Sequence, residues 1–345
     1  MKLIIQIPCL NEEETLPATL ADLPRRIEGV DSVEWLVIDD GSTDATVEVA
    51  RAHGVDHIVR LTNNKGLAAA FQAGLDACLK LGADVIVNTD GDNQYRGSDI
   101  HRLVAPILAG EADMVVGDRA VASIDHFSRA KKLLQRLGSW VVRRASETTV
   151  ADTTSGFRAY NREAALQLQV VSNFTYTLES LIQAGKMLVA VGSVDIGTNP
   201  KLRESRLFGS TASYVRRNAP ELLRIYARYE PFRAFTTAAI VVAILALGAW
   251  TPFLRDWIVD GDTSGHIQSL ILGAVLFIAA IQLFALGVIG DLLAGQRVMI
   301  QRTFERVRRV ELELGVGPSH YVGGNPVEER STTGRDAGEV ERIGA

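Results

Sequence analysis

Cysteine is nearly absent: Cys9 and Cys78 are the only two in 345 residues. A disulfide scaffold is excluded, a reduced compartment is expected, and neither residue stands at a metal-ligand spacing. Neither sign of charge dominates. The 36 Lys and Arg face 41 Asp and Glu, a net of −5, which excludes a surface given over to nucleic acid. There is no Gly-rich phosphate loop of the dinucleotide or P-loop kind, so phosphates need another means of being held. The opening Met1–Pro8 carries no cleavage-site pattern and reads as a buried strand rather than a signal peptide. No internal repeat is visible. Charged residues are only 22% of the chain against 47% hydrophobic, which excludes a disordered protein, and the length allows about two domains.

The apolar excess is concentrated in two runs without any charge, Ala234–Leu254 and Ile267–Gly290. Each meets the roughly 20 residues needed to cross a hydrocarbon core, and buried core helices seldom run so long uncharged. The connection Arg255–His266 holds Asp256, Asp260 and Asp262, whereas Arg216, Arg217, Arg224, Arg228 and Arg233 precede the first run and Arg297, Arg302, Arg306, Arg308 and Arg309 follow the second. This asymmetry predicts a two-span hairpin in the cell membrane with both flanks, and so both termini, in the cytoplasm. Gly248, Gly273 and Gly287 within the spans suggest association into homo-oligomers. The sequence divides into residues 1–210, a juxtamembrane stretch 211–233, the hairpin 234–290, a basic amphipathic helix 291–314 anchored at the membrane surface, and a tail 315–345 rich in Gly, Ser, Thr and charge that is expected to lack structure.

Within the first part, apolar runs at Leu3–Ile7, Trp35–Ile38, His57–Leu61, Asp84–Val87 and Met114–Val116 alternate with helical stretches at Glu13–Arg25, Asp44–Ala52, Gly66–Leu81 and Ser98–Ala109. The alternation predicts an open α/β sheet, mostly parallel. Ligands of such sheets bind beyond the carboxyl ends of the strands, and four of those ends are polar or acidic: Asn11-Glu12, Asp39-Asp40, Asp90-Gly91-Asp92 and Asp118-Arg119. A single Asp there is as often a turn former. Four together point to a site. Asp90 and Asp92, one small residue apart, can address one hard divalent cation, Mg²⁺ or Mn²⁺, completed by substrate phosphates.

Ile7-Pro8-Cys9-Leu10-Asn11-Glu12-Glu13, Val37-Ile38-Asp39-Asp40-Gly41-Ser42-Thr43-Asp44 and Asn64-Lys65-Gly66 resemble family 2 glycosyltransferases of the GT-A (nucleotide-diphospho-sugar transferase) fold. Asp90-Gly91-Asp92-Asn93-Gln94, Val116-Gly117-Asp118-Arg119 and Asp152-Thr153-Thr154-Ser155-Gly156-Phe157-Arg158 narrow the resemblance to the dolichyl- or polyprenyl-phosphate sugar synthases. The resemblance implies that Pro8, Leu10, Asn11 and Glu12 line a nucleotide pocket, with Asp40 accepting from the base, Asp39 supporting that strand end and Lys65-Gly66 beside the nucleotide. It implies that Asp90, Asp92 and Gln94 hold the metal on the donor diphosphate with Gly91 between them. Arg119 would contact a phosphate, Asp152 would orient the pocket, and Ser155 and Arg158 would shape its sugar and acceptor side. The partners implied are a nucleotide sugar, a polyprenyl or dolichyl phosphate and membrane lipid, with no nucleic acid.

A lipid monophosphate is largely ionised near neutral pH, its second pKa being about 6, so it can attack the anomeric carbon by direct, inverting displacement without a strong base. It needs nearby positive charge. The basic, Leu- and Val-interleaved stretch from Arg129 to Arg144 fits a membrane surface, and Arg129 after Ser128 matches the family's acceptor-phosphate arginine. Lys201, Arg203 and Arg206 resemble the family's basic segment before the membrane, with Pro200 where its arginine is usual. A processive polysaccharide synthase would need more spans and a Gln-X-X-Arg-Trp motif. A nucleotidyltransferase would carry a basic Gly-rich loop after its first strand. A non-catalytic membrane scaffold would leave Asp90, Asp92 and Gln94 unexplained.

Overall fold

In the strand β1 (Lys2–Cys9) the residues Leu3, Ile4, Ile5 and Ile7 are all fully buried, so both of its faces must be covered. It is an interior strand, third in a seven-stranded sheet, the register pairing Cys9 with Asp39 of β2 (Ser32–Asp39) on one side and Gln6 with Asn88 of β4 (Val85–Asn88) on the other. Both pairings are parallel. β3 (His57–Arg60) lies beyond β2, also parallel. On the far side β6 (Arg158–Asn161) runs antiparallel between β4 and β5 (Met114–Asp118), and β7 (Val191–Asp195) joins β5 in parallel at the edge. The order is β3-β2-β1-β4-β6-β5-β7. This computed structural model describes residues 1–119, 148, 150–170, 176–200, 224, 226–259, 261 and 266–324.

The helices α1 (Leu16–Asp22), α2 (Thr46–Ala52), α3 (Leu67–Lys80) and α4 (Ile100–Leu108) fall where the amphipathic stretches predict them. α1 is shorter than expected. Pro17 sits in its first turn, and Pro24 forces Leu23 into an extended conformation at φ −76°, ψ 135°. Two short helices, α5 (Arg162–Gln167) and α6 (Tyr176–Lys186), complete the layers. The core gathers β1, β2, β4 and α4 around Leu3, Ile5, Ile7, Val37, Val87 and Leu103.

Two units separate, the sheet unit taking in Met1–Leu207 and Glu305–Ala345 and the helical unit Phe208–Phe304. α7 (Pro231–Val259) and α8 (Ile267–Glu313) carry the two apolar runs. The protein leaves their apolar runs almost entirely uncovered, unlike a core helix, and both are long and apolar enough to cross a membrane. Two of the small residues, Gly273 and Gly287, sit where the two helices of the hairpin pack closely. A Cβ on Gly273 would lie 2.0 Å from Trp250, and one on Gly287 would lie 3.2 Å from Phe235.

The stretch 291–314 is no separate surface helix but the continuation of α8, whose last turns belong to the sheet unit. Arg308, expected at a lipid surface, is buried, and its Nη1 donates to the carbonyls of Ala165, Leu166 and Leu168 at the end of α5. These are carbonyls that a helix terminus leaves without partners. Arg309 pairs with Glu163 and Glu305. The tail also departs from expectation in its first ten residues. Tyr321 bridges Val59 antiparallel, Arg60 N–H donates to His320 O, Val322 N–H donates to Ile58 O, and the Tyr321 hydroxyl meets His57 Nδ1 at 2.8 Å. The free edge of β3 is covered.

Candidate active site

The carboxyl ends of β1, β2, β4 and β5 converge because these strands are parallel and in register. After β1, Asn11 turns the chain at φ +54° and its N–H donates to Ser42 Oγ, while its Oδ1 accepts from Thr43 N–H at 2.9 Å. Glu12 N–H donates to Thr46 Oγ1 at 2.9 Å. The loops after β1 and β2 are thus one surface, with Pro8 buried behind it and Leu10, Asn11 and Glu12 half-buried along it.

Asp39 is wholly buried; its Oδ1 accepts from Ser42 N–H at 2.9 Å, and Arg60 Nε lies 3.2 Å from Oδ2 without hydrogen-bond alignment. Asp40 anchors a loop. Its oxygens accept from Lys65 N–H at 2.7 Å and Gly66 N–H at 2.9 Å, and it is 3% exposed. Burial raises its pKa, and those two bonds oppose the rise. The loop closes over Gly41, φ +75°, where a Cβ would stand 2.6 Å from the backbone of Asn63.

Beyond β4, Gly91 is buried and its carbonyl accepts from the hydroxyls of Thr15 and Thr19, both at 3.0 Å. A Cβ there would come within 3.1 Å of Cys9 Sγ and 3.4 Å of Glu12 Cγ, which explains a small residue between the two acids. Asp92 Oδ1 accepts from Gln94 N–H at 3.1 Å. Asp90 has no hydrogen-bond donor among the described residues, and burial together with the adjacent Asp92 charge pushes it up to about 7. Among the described residues no three His, Cys, Asp or Glu cluster for a metal. The available set is therefore two carboxylates and the Gln94 amide. Asp90 stands beside a second carboxylate with no donor bonded to it among the described residues, the Arg119 and Arg158 charges offset that repulsion only in part, and a hard cation that also takes phosphate oxygens fits such a donor set.

Facing this pair is the loop 152–157. Arg119, just after β5, is gripped by Asp152, Nε to Oδ2 at 2.7 Å and Nη2 to Oδ1 at 3.1 Å, with Thr154 Oγ1 at 3.0 Å from Nη2. Burial works against the charge on both, but the pairing wins: Asp152 falls below the ordinary carboxylate range and Arg119 is raised. Gly156 N–H donates to the Tyr95 hydroxyl at 3.0 Å, and the Tyr95 ring stacks on Phe157 at 5.0 Å. Asn88 Nδ2 donates to Gly156 O at 2.8 Å and to the Tyr176 hydroxyl at 2.9 Å, while its Oδ1 accepts from Gln6 Nε2 at 2.8 Å. Tyr95 and Tyr176 carry no sequence signal of their own beyond the position of Tyr95 next to Gln94, whereas Asn88 opens the polar run at the end of β4.

Arg158 is fully buried, its guanidinium donating to the carbonyls of Ser155, Thr177 and Thr153 and to Ser180 Oγ. Ser155 is fully buried with it. Lys65 is exposed at the mouth of the loop. Arg129, Lys201, Arg203 and Arg206 lie outside the described residues.

Residues 4–168 match the family model described as glycosyl transferase family 2. An uncharacterized glycosyltransferase of Mycobacterium tuberculosis is 32% identical over 208 residues, spanning 60% of this chain and 89% of that protein. The chain belongs to glycosyl transferase family 2. A second relative in the family, the undecaprenyl-phosphate mannosyltransferase of Micrococcus luteus, is 28% identical over 247 residues, covering 68% of this chain and 98% of its own length. Among solved structures, glucosyl-3-phosphoglycerate synthase from M. tuberculosis, in complex with Mn²⁺, UDP and glucosyl-3-phosphoglycerate, superposes with a TM-score of 0.52 at 23% identity, over 65% of this chain and 79% of that one. The fold is GT-A, and the protein is a glycosyltransferase.

Proposed function

We propose that the protein transfers a single hexosyl group from a UDP- or GDP-linked sugar to a polyprenyl or dolichyl phosphate, with inversion. The observation that carries this reading is the presence, in one family 2 chain, of the Asp90/Asp92 pair and of two apolar helices the protein leaves uncovered. The relative named for undecaprenyl-phosphate mannosyl transfer supports a lipid phosphate as acceptor, and the Mn²⁺ and UDP in the solved neighbour support a metal-held nucleotide donor.

On this reading residues 1–210 are the catalytic domain. Pro8, Leu10, Asn11 and Glu12 flank the nucleotide on one side and the Asp40-anchored Lys65-Gly66 turn on the other. Asp90, Asp92 and Gln94 would hold Mg²⁺ or Mn²⁺, which when bound neutralises charge on the departing diphosphate. Arg119, oriented by Asp152, presents its remaining Nη1 to a phosphate oxygen. The acceptor, already an anion, attacks without a base, so the chain's task is alignment and charge compensation. Arg129 with Lys201, Arg203 or Arg206 receives the acceptor phosphate. The hairpin spans the cell membrane twice, and its basic flanks keep the catalytic domain and both termini cytoplasmic.

The test is purified protein in detergent with Mn²⁺ or Mg²⁺, a short polyprenyl phosphate and a panel of nucleotide sugars, scored by the mass of the lipid product. A single-hexose adduct abolished by EDTA and by Asp92→Ala is expected. Adducts growing by successive sugars, or none from any donor, would overturn the reading.

A further inference from the structure

The turn that carries the proposed metal ligands is held from outside by the end of α1 and by the chain that follows β7. Asn93, between Asp92 and Gln94, sits at φ +56°, a left-handed conformation that Asn tolerates but that still has to be maintained by its surroundings. Directly beside it the chain returns after β7. Thr198 bridges Tyr95 antiparallel, and Asn199 N–H donates to Gln94 O at 2.9 Å. The Asn199 side chain then points its amide at three acceptors: Asn93 Oδ1 at 3.3 Å, Asp22 Oδ2 at 3.3 Å and Tyr95 O at 3.4 Å. Asp22, the last residue of α1, also accepts from Gly97 N–H at 2.7 Å, closing the far side of the same turn. The approach is tight, for a Cβ on Gly97 would collide with the carbonyl of Asp22.

We propose that Asn199 is a positioning residue of the transfer site: by donating to Asn93, Tyr95 and Asp22 it holds the 92–94 turn in the shape that lets Asp92 and Gln94 serve one cation. The inference rests on the metal-dependent reading above.

Asn199 touches no reacting atom in this scheme, so the decisive readout is cation binding rather than turnover. Full-length protein in detergent is titrated with Mn²⁺, free ion being followed by its paramagnetic resonance, first alone, then with UDP, and in a second arm with GDP. Asn199→Asp keeps the size and the backbone bond but replaces the two N–H donors with acceptors facing Asp22; Asn199→Ala removes the side chain. Both are expected to weaken nucleotide-supported Mn²⁺ binding about 5- to 10-fold, the size of one ordinary hydrogen bond or slightly more. Nucleotide affinity in EDTA and the thermal midpoint stay at wild-type values. A residue that merely fills space would leave Asn199→Asp like wild type, and Mn²⁺ affinity within twofold in both variants overturns the inference. An equal loss of nucleotide affinity with and without metal does so too, because it marks a general structural defect. Wild-type protein whose Mn²⁺ affinity neither nucleotide improves would overturn the metal reading itself, and this inference with it.

Discussion

Arg119 and Asp152 form a two-point ion pair, 2.7 and 3.1 Å, with the carboxylate side chain 3% exposed and the guanidinium side chain 17%. A planar fork against a carboxylate fixes orientation as well as charge. Removing one partner leaves the other buried without compensation. Asp152→Asn is therefore expected to destabilise the protein by about 3 kcal/mol, read as a fall in thermal midpoint, and Arg119→Lys to retain the charge but lose the second contact and most activity.

The same pair sets a pH dependence. Asp152 is held below its ordinary value, so the unfolded chain binds a proton more readily than the folded one in that range. Its stabilisation is fully present above about pH 4, the ordinary carboxylate value, and is lost as pH falls below it. Asp152→Asn should flatten the decline of the thermal midpoint below pH 4; an unchanged slope would refute the assignment.

Metal ligation is tested at the turn after β4. Asp92→Asn keeps volume and removes charge, and its rate of transfer is expected to fall by about 10²–10³, the scale of a lost transition-state electrostatic contact. Circular dichroism should remain that of the wild type, and excess Mn²⁺ should not restore the rate.

The C-terminal part of α8 offers a contrast between two neighbouring arginines. Arg308 is buried and its Nη1 serves three carbonyls at the end of α5; Arg308→Ala should cost about 2 kcal/mol, as for hydrogen bonds to a charged group. Arg309, on the exposed side with Glu163 and Glu305, should matter by less than about 1 kcal/mol when changed to Ala. Paired denaturation curves decide it.

Much of the fold could be read in advance because a parallel strand covered on both faces is a continuous apolar run. β1, β2 and β4 are of that kind, and the acidic residues just beyond them mark the site. β6 was invisible for the opposite reason: it opens on Arg158, whose burial is made possible by carbonyls from residues 153, 155 and 177 that no local pattern brings together. β7 is an edge strand of mixed exposure, without an apolar run to announce it. At the site, residue type showed where Asp39, Asp40, Asp90 and Asp92 gather. It did not show their partners. The engagement of Asp40 by the Lys65 and Gly66 N–H groups depends on a loop 25 residues away.

The strip that closes β3 has a consequence for how the chain is made. His57 and Tyr321 touch across 264 residues of sequence. At about 5–20 residues per second of synthesis, β3 leaves the ribosome on the order of 10–50 s before the residues that seal its edge exist. For that interval the sheet domain carries an open, hydrogen-bond-hungry margin, and both apolar helices must be made before it can close. The nascent protein is therefore most exposed to faulty strand pairing while its hairpin is being synthesised, and the arrival of residues 320–322 ends that hazard.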